Sequence, residues 1–172
     1  MKNDEVRKLK FENWPLPDEY LMEIGRVAEL WAMLESQVNV FIGKLAGFDL
    51  FDPKPFILVT HASFPQRLDM LASLCQQLLR DYPTLTEYEK VVGKLRAAQS
   101  ERNKYMHHGM SLNPETGRVE MAIGSARGSL KVSVEPITIA DIRRAAMSIH
   151  EAMLALSNLV LGRADAPMWE RQ

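Results

Sequence analysis

The chain has 172 residues, 47% of them hydrophobic and 25% charged, with a formal net charge of −1. That is one globular domain with room for a hydrophobic core, and the near-neutral balance excludes a protein that coats nucleic acid or membrane by bulk charge, leaving a local basic cleft as the route to such partners. The single cysteine, Cys75, excludes an internal disulfide; no apolar signal segment opens the chain, and its apolar runs fall short of the ~18 residues a membrane span needs, so a soluble cytoplasmic protein is expected.

Residues 1–17 read as a charged N-terminal arm ending in Trp14-Pro15-Leu16-Pro17, with Asp18 placed to cap the first helix. From Asp18 to about Ala46, Ile24, Val27, Trp31, Leu34, Val38, Phe41 and Leu45 recur every three or four residues, and Gly47 falls where a C-terminal cap belongs. Pro53 and Pro55 break the chain, residues 56–62 suit a short helical turn, and Pro65 opens a second helix reaching about Tyr82 on Leu68, Leu71, Cys75, Leu78 and Leu79. A third helix follows Pro83, with Thr84 or Thr86 as its cap, and carries Tyr88, Val91, Val92, Leu95, Ala98 and Arg102 to a stop at Gly109.

Between Met110 and Pro136 the helical period gives way to alternation. Residues 118–123 and 129–134, separated by Gly124 and Gly128 and preceded by an Asn113-to-Gly117 turn, predict a two- or three-stranded antiparallel flap. The last helix runs from Thr138 to about Leu161, with Thr138 and Asp141 near capping-box spacing and Ile142, Ala145, Ile149, Met153, Leu156 and Val160 inward. Gly162 ends it, and residues 163–172 read as a loose, flexible tail. The expected class is all-α: one domain over 18–162, an antiparallel bundle of four helices (five with the short turn), with a β-hairpin or meander at about 110–136 inserted before the last helix.

Arg102 stands where the third helix's apolar stripe calls for a leucine, about 20° from Leu95 on ideal geometry. Burying a guanidinium without partners costs several kcal/mol, which implies either a polar network inside the bundle or a cleft open to an anion. Asn103 and His107, four residues apart, share one flank of the stripe, whereas His108 points nearly the opposite way; fraying of the last turn would exchange the two histidines. An ordinary helix end accounts for Lys104, His108 and Gly109 through the macrodipole and a left-handed cap, but not for the inward cation or for Asn103, a poor helix former.

Glu35, on the edge of the first helix's apolar face, is a weaker candidate as ion-pair partner of Arg102, and such an edge carboxylate is more often solvated. Tyr105, on the other flank of Arg102, is a weaker candidate for stacking a base, set against core or dimer packing. His61 and His150 have no second ligand at metal spacing and read as structural or surface residues; Met22, Met33, Met70, Met106, Met147 and Met153 read as packing. Lys94, Arg96, Lys104 and Arg127 offer a basic rim for phosphates, though Glu87, Glu89 and Glu101 among them suit an ordinary solvated face equally well. With no P-loop, no dinucleotide glycine fingerprint and no serine or cysteine nucleophile motif, neither a cofactor nor a metal is expected.

Arginine, asparagine, three further residues and histidine at the end of a bundle helix, here Arg102, Asn103 and His107 with Gly109 following, resembles the signature of the HEPN superfamily of four- to five-helix bundles. The resemblance covers the helical order from about residue 18 to 162, although the strand insertion lies outside the minimal pattern. It implies a metal-independent endoribonuclease, of a kind frequent in toxin–antitoxin, abortive-infection and RNA-processing systems, that works at a cleft between two protomers. The partners implied are RNA, a second copy of the chain, and an antitoxin or other protein; DNA and membrane are not. In such a site neutral His107 removes the proton of an RNA 2′-hydroxyl, Arg102 stabilises the phosphate charge, and Asn103 orients one or the other. The alternative is a non-catalytic HEPN-like domain for dimerisation or for protein or ligand binding, with Arg102 in an internal polar network. Arg102 and His107 converging on one phosphate-sized space would favour the enzyme, and Arg102 sealed by Glu35 or backbone carbonyls the binding domain.

Overall fold

The computed structural model describes residues 14–50, 52–125 and 131–170, so most of the expected N-terminal arm, Arg127 of the basic rim and the start of the second expected strand at 129–130 lie outside the described residues. Helix α1 (Asp18–Leu45) buries Val27, Leu30, Trp31, Leu34, Val38 and Phe41 along one stripe. Its cap is Pro17 rather than Asp18: the Pro17 carbonyl accepts from the amides of Tyr20 and Leu21, while Asp18 and Glu19 sit in the first turn, where negative charge meets the positive end of the macrodipole. Its other end is the one the sequence predicts. Gly47 adopts φ +90°, the Gly47 amide reaches the Lys44 carbonyl and the Phe48 amide the Gly43 carbonyl, which together make a Schellman motif.

The chain then doubles back along α1. Helix α2 (Lys54–Val59) is held there by buried Pro55, which lies over Gly43, and leaves Ile57 and Leu58 exposed. Helix α3 (Phe64–Leu78) starts on Ser63, whose amide donates to Gln66 Oε1 at 2.7 Å, and stops short of the expected Tyr82, where the Leu79 amide takes the Gln76 carbonyl and the Asp81 amide the Leu78 carbonyl in tighter three-residue turns. A 3-10 turn (Pro83–Glu87) follows, in which the Thr86 hydroxyl bonds to the Pro83 carbonyl; neither Thr84 nor Thr86 caps helix α4 (Tyr88–Met106), which begins on Glu87.

After α4 the chain enters an antiparallel meander of β1 (Gly109–Leu112), β2 (Val119–Ser125) and β3 (Lys131–Pro136), in that spatial order. Gly109 pairs with Ala122 and its φ is not positive, so it opens a strand instead of forming the left-handed cap an ordinary helix end would use. The turn between β1 and β2 is as expected: Asn113 Oδ1 accepts from the amides of Glu115 and Thr116, and Gly117 has φ +65°. β2 sends buried Val119 and Met121 into the core and β1 packs partly buried Met110 against it; β3 is exposed throughout. Helix α5 (Ile139–Leu161) has the expected Thr138–Asp141 capping box and a left-handed Gly162. It buries Ile142, Ala145, Ile149 and Leu156 as expected, together with Ala152 and Leu159, while Met153 and Val160 are only partly covered.

Mostly helical, with five helices and one small sheet among the described residues, the architecture differs from an all-antiparallel bundle in helix direction. Glu23 pairs with Arg143 and Gln37 with Ser157, so α1 and α5 run the same way. Trp31 packs on Phe64 at the start of α3, and Leu45, Leu78 and Leu159 line one cavity at the opposite end, so α3 runs with them. Of the four long helices only α4 opposes: Arg96 pairs with Asp69 of α3, and further along α4 Arg102 lies over Trp31, which packs on Phe64 at the start of α3. The return through α2 is the physical reason, since it lets α3 begin beside the middle of α1. Among the described residues no helix is long and apolar enough to cross a membrane. Four of the methionines expected to pack, Met22, Met33, Met70 and Met147, are exposed instead, because they lie outside the narrow contact stripes of their helices.

Candidate functional site

Arg102 enters the last turns of α4 on the inward stripe, as counted, and is half-buried. What it meets there is the indole of Trp31 from α1: the guanidinium carbon stands 5.5 Å from the ring centroid. Trp31 is itself buried and tilted against Phe64 with 4.5 Å between ring centroids. The cation thus rests on an aromatic face, an attraction that leaves its charge unneutralised. Among the described residues no carboxylate pairs with it; Glu35, the expected candidate, is half-buried and forms no ion pair with Arg102. The Arg102 Nε is buried without a hydrogen-bond partner.

Arg102 Nη1 donates to Asn103 Oδ1 at 3.0 Å and to His107 Nε2 at 3.0 Å, so the three motif residues converge. On an unbroken helix residues five apart lie about 140° apart, which would separate Arg102 from His107. The helix ends first. His107 is the C-cap residue, with φ −121° and ψ 0°, and its amide still reaches the Asn103 carbonyl at 3.2 Å while the exposed ring turns back to the guanidinium. A guanidinium has donors only, so His107 Nε2 must be the acceptor: the imidazole in this contact is neutral, with its hydrogen on Nδ1. The hydrogen bond and protonation at Nε2 exclude one another.

The weaker candidates fall elsewhere. His108 is half-buried with Nδ1 2.9 Å from the Lys104 carbonyl, where it satisfies a helix-end carbonyl, so the fraying exchange with His107 does not occur. Tyr105 is 4% exposed and belongs to the core, so it offers no face to a base; burial first, then the nearby carboxylates of Asp141 and Glu101, push its hydroxyl above the usual range. Arg96 is committed to Asp69, and Lys104 lies over the Tyr105 ring, 5.9 Å from its centroid, which thins the expected basic rim. His61 is exposed; His150 is buried in α5 and accepts the Met168 amide through Nε2 at 2.9 Å. Among the described residues no group of three or more His, Cys, Asp or Glu is arranged to hold a metal.

Trp31 is the member of the constellation that the sequence does not reveal. In a stripe of apolar residues an indole reads as core, and no spacing rule ties it to a distant arginine. Its one sequence signal is complementary: an inward cation without an inward acid needs some other partner. The result is a positive charge and a proton-accepting nitrogen within 3.0 Å of each other at the open end of a helix, suited to holding an anion and moving a proton beside it. Compared with protein-family models, with curated proteins and with solved structures, the chain matches none.

Proposed function

We propose that the chain is a HEPN-like, metal-independent endoribonuclease built on a four- to five-helix bundle, with Arg102 and His107 as the reacting pair and Asn103 in support. The observation that carries this reading is the convergence of the three side chains around a guanidinium that no carboxylate among the described residues neutralises. An RNA phosphate takes the place of His107 on the Arg102 Nη1 donor. That frees the Nε2 lone pair, which accepts the proton of the 2′-hydroxyl as the 2′-oxygen attacks phosphorus. The bond from phosphorus to the 5′-oxygen breaks, leaving a 2′,3′-cyclic phosphate, and the departing oxygen takes its proton from a second copy's His107 in the imidazolium form. Arg102 carries the charge gained by the phosphate oxygens, and Asn103 fixes the guanidinium. A toxin or phage-defence setting, with an antitoxin as partner, fits this chemistry.

A second reading has a specific observation behind it. Both Nη1 bonds stay inside the motif and the cation rests on a buried indole, which also suits a non-catalytic domain whose Arg102 closes a polar network. The test is cleavage of labelled single-stranded RNA and total tRNA in EDTA by wild type, His107→Ala and Arg102→Ala at equal folded purity. The nuclease reading requires wild-type products with cyclic phosphate ends and the loss of cleavage in both variants. Absence of cleavage by wild type across these RNAs would overturn it in favour of the binding domain.

A further inference from the structure

A cavity far along α1 from its C-terminal end serves none of the chemistry above. Leu30 and Met33 of α1, Ala146 and Met147 of α5, and Met168 and Trp169 of a C-terminal 3-10 turn (Met168–Glu170) surround about 510 Å³, within the ~300–1,000 Å³ of ligand-sized clefts. The turn, in a segment the sequence suggests is loose, is a fixed wall. His150 accepts the Met168 amide, and its ring meets the Trp169 ring edge-on with 5.0 Å between centroids. Three methionines and an indole make a lining that is apolar, polarisable and adaptable to flat or extended carbon skeletons.

One end of the cavity is different. Glu23, 3% exposed, accepts at Oε1 from Arg26 Nη1 at 2.6 Å and from Arg143 Nε and Nη2 at 2.8 and 2.7 Å. A single guanidinium suffices to pair a buried carboxylate. Here two share one oxygen, and both are more than half exposed, so the cluster keeps an excess positive charge with donors to spare at the cavity end. Glu29 is the other carboxylate of the lining and stands on the exposed rim.

We infer that this cavity binds a small amphipathic carboxylate, with its hydrocarbon chain or ring against Met33, Met147 and Trp169 and its carboxylate held by Arg26 and Arg143. The apolar lining gives a bare phosphate nothing to bury, and the paired guanidiniums give an uncharged hydrocarbon nothing to satisfy. Both halves of the ligand are therefore specified. The site is independent of Arg102 and His107, and its ligand is a free organic acid rather than RNA.

The experiment is displacement of anilinonaphthalene sulfonate fluorescence from the full chain by decanoate and, as the uncharged counterpart, decanol. Saturable single-site displacement by decanoate is expected, with decanol weaker by about ten-fold or more, the size of a lost charge-assisted contact. Arg143→Gln, which leaves Arg26 on Glu23, should weaken decanoate by a similar factor and leave decanol unchanged. Met147→Trp and Met33→Trp, at exposed positions that leave the core intact, should block both ligands by filling the space. Equal binding of decanoate and decanol would overturn the carboxylate assignment; no saturable displacement, or displacement untouched by both tryptophan variants, would overturn the site.

Discussion

Gly43 and Gly25 lie in the same helix, and the same substitution should move stability in opposite directions at the two. A Cβ added at Gly43 would stand 2.4 Å from Pro55 Cγ and 2.8 Å from Pro55 Cβ, whereas carbon atoms in contact sit at ~3.5–4.0 Å. Pro55 is buried and its ring is rigid, so α2 must retreat by about 1 Å, and overpacking of this kind costs about 1–3 kcal/mol. Alanine's helix propensity returns about 1 kcal/mol of that, leaving Gly43→Ala destabilised by up to about 2 kcal/mol. At Gly25 an added Cβ meets nothing within 4 Å, so Gly25→Ala keeps only the gain, about 0.5–1 kcal/mol. Urea unfolding followed by far-ultraviolet circular dichroism reads both as midpoint shifts at unchanged slope. A Gly43→Ala midpoint at or above wild type, or the two variants shifting the same way, would refute the close packing of α2 on α1.

Arg102→Leu completes the apolar stripe and removes a buried, unpartnered Nε; stability should stay within about 1 kcal/mol of wild type or rise while RNA cleavage disappears, and a larger loss by urea unfolding would make Arg102 structural. Glu23 is held below the ordinary carboxylate range by Arg143 first and Arg26 with it, against the opposing effect of burial. The stability this confers is therefore present above the unfolded-state pKa, about 4.3, and is lost as pH falls through the lower folded value. Melting temperatures of Glu23→Gln should accordingly approach those of wild type as pH drops from 7 to about 3, and parallel curves would rule the linkage out. Burial pushes the Cys75 thiol up to about 11, so Ellman's reagent at pH 8 should label it only in unfolded chains; rapid labelling of native protein would contradict its place in the core.

Local chemistry is what the sequence made readable. The Thr138–Asp141 box, the left-handed Gly47 and Gly162 and the Asn113 turn each depend on residues within a few positions of one another, and each stands where expected. Arg102 was conspicuous for the same reason, as a break in a short periodic pattern. The short connection between α3 and α4 made their antiparallel pairing readable; the direction of α3 relative to α1 was not, because it depends on how α2 carries the chain back, and that follows from the fit of Pro55 against Gly43 rather than from any periodicity. The meeting of Arg102 with Trp31 is likewise a contact between helices, invisible to spacing along either one. The exposed methionines show the opposite failure: helical spacing marks a broad face, while the neighbours cover only its middle.

Because α1 and α5 run side by side in the same direction, bound through Glu23–Arg143 and Gln37–Ser157, the apolar stripe of α1 is completed by residues 120 positions further along the chain. α3 already covers Trp31 through Phe64, but the side of α1 that faces α5 stays open to water until that helix is in place, so truncation before Leu161 should leave the core incomplete. The core that α1 begins is closed by α5.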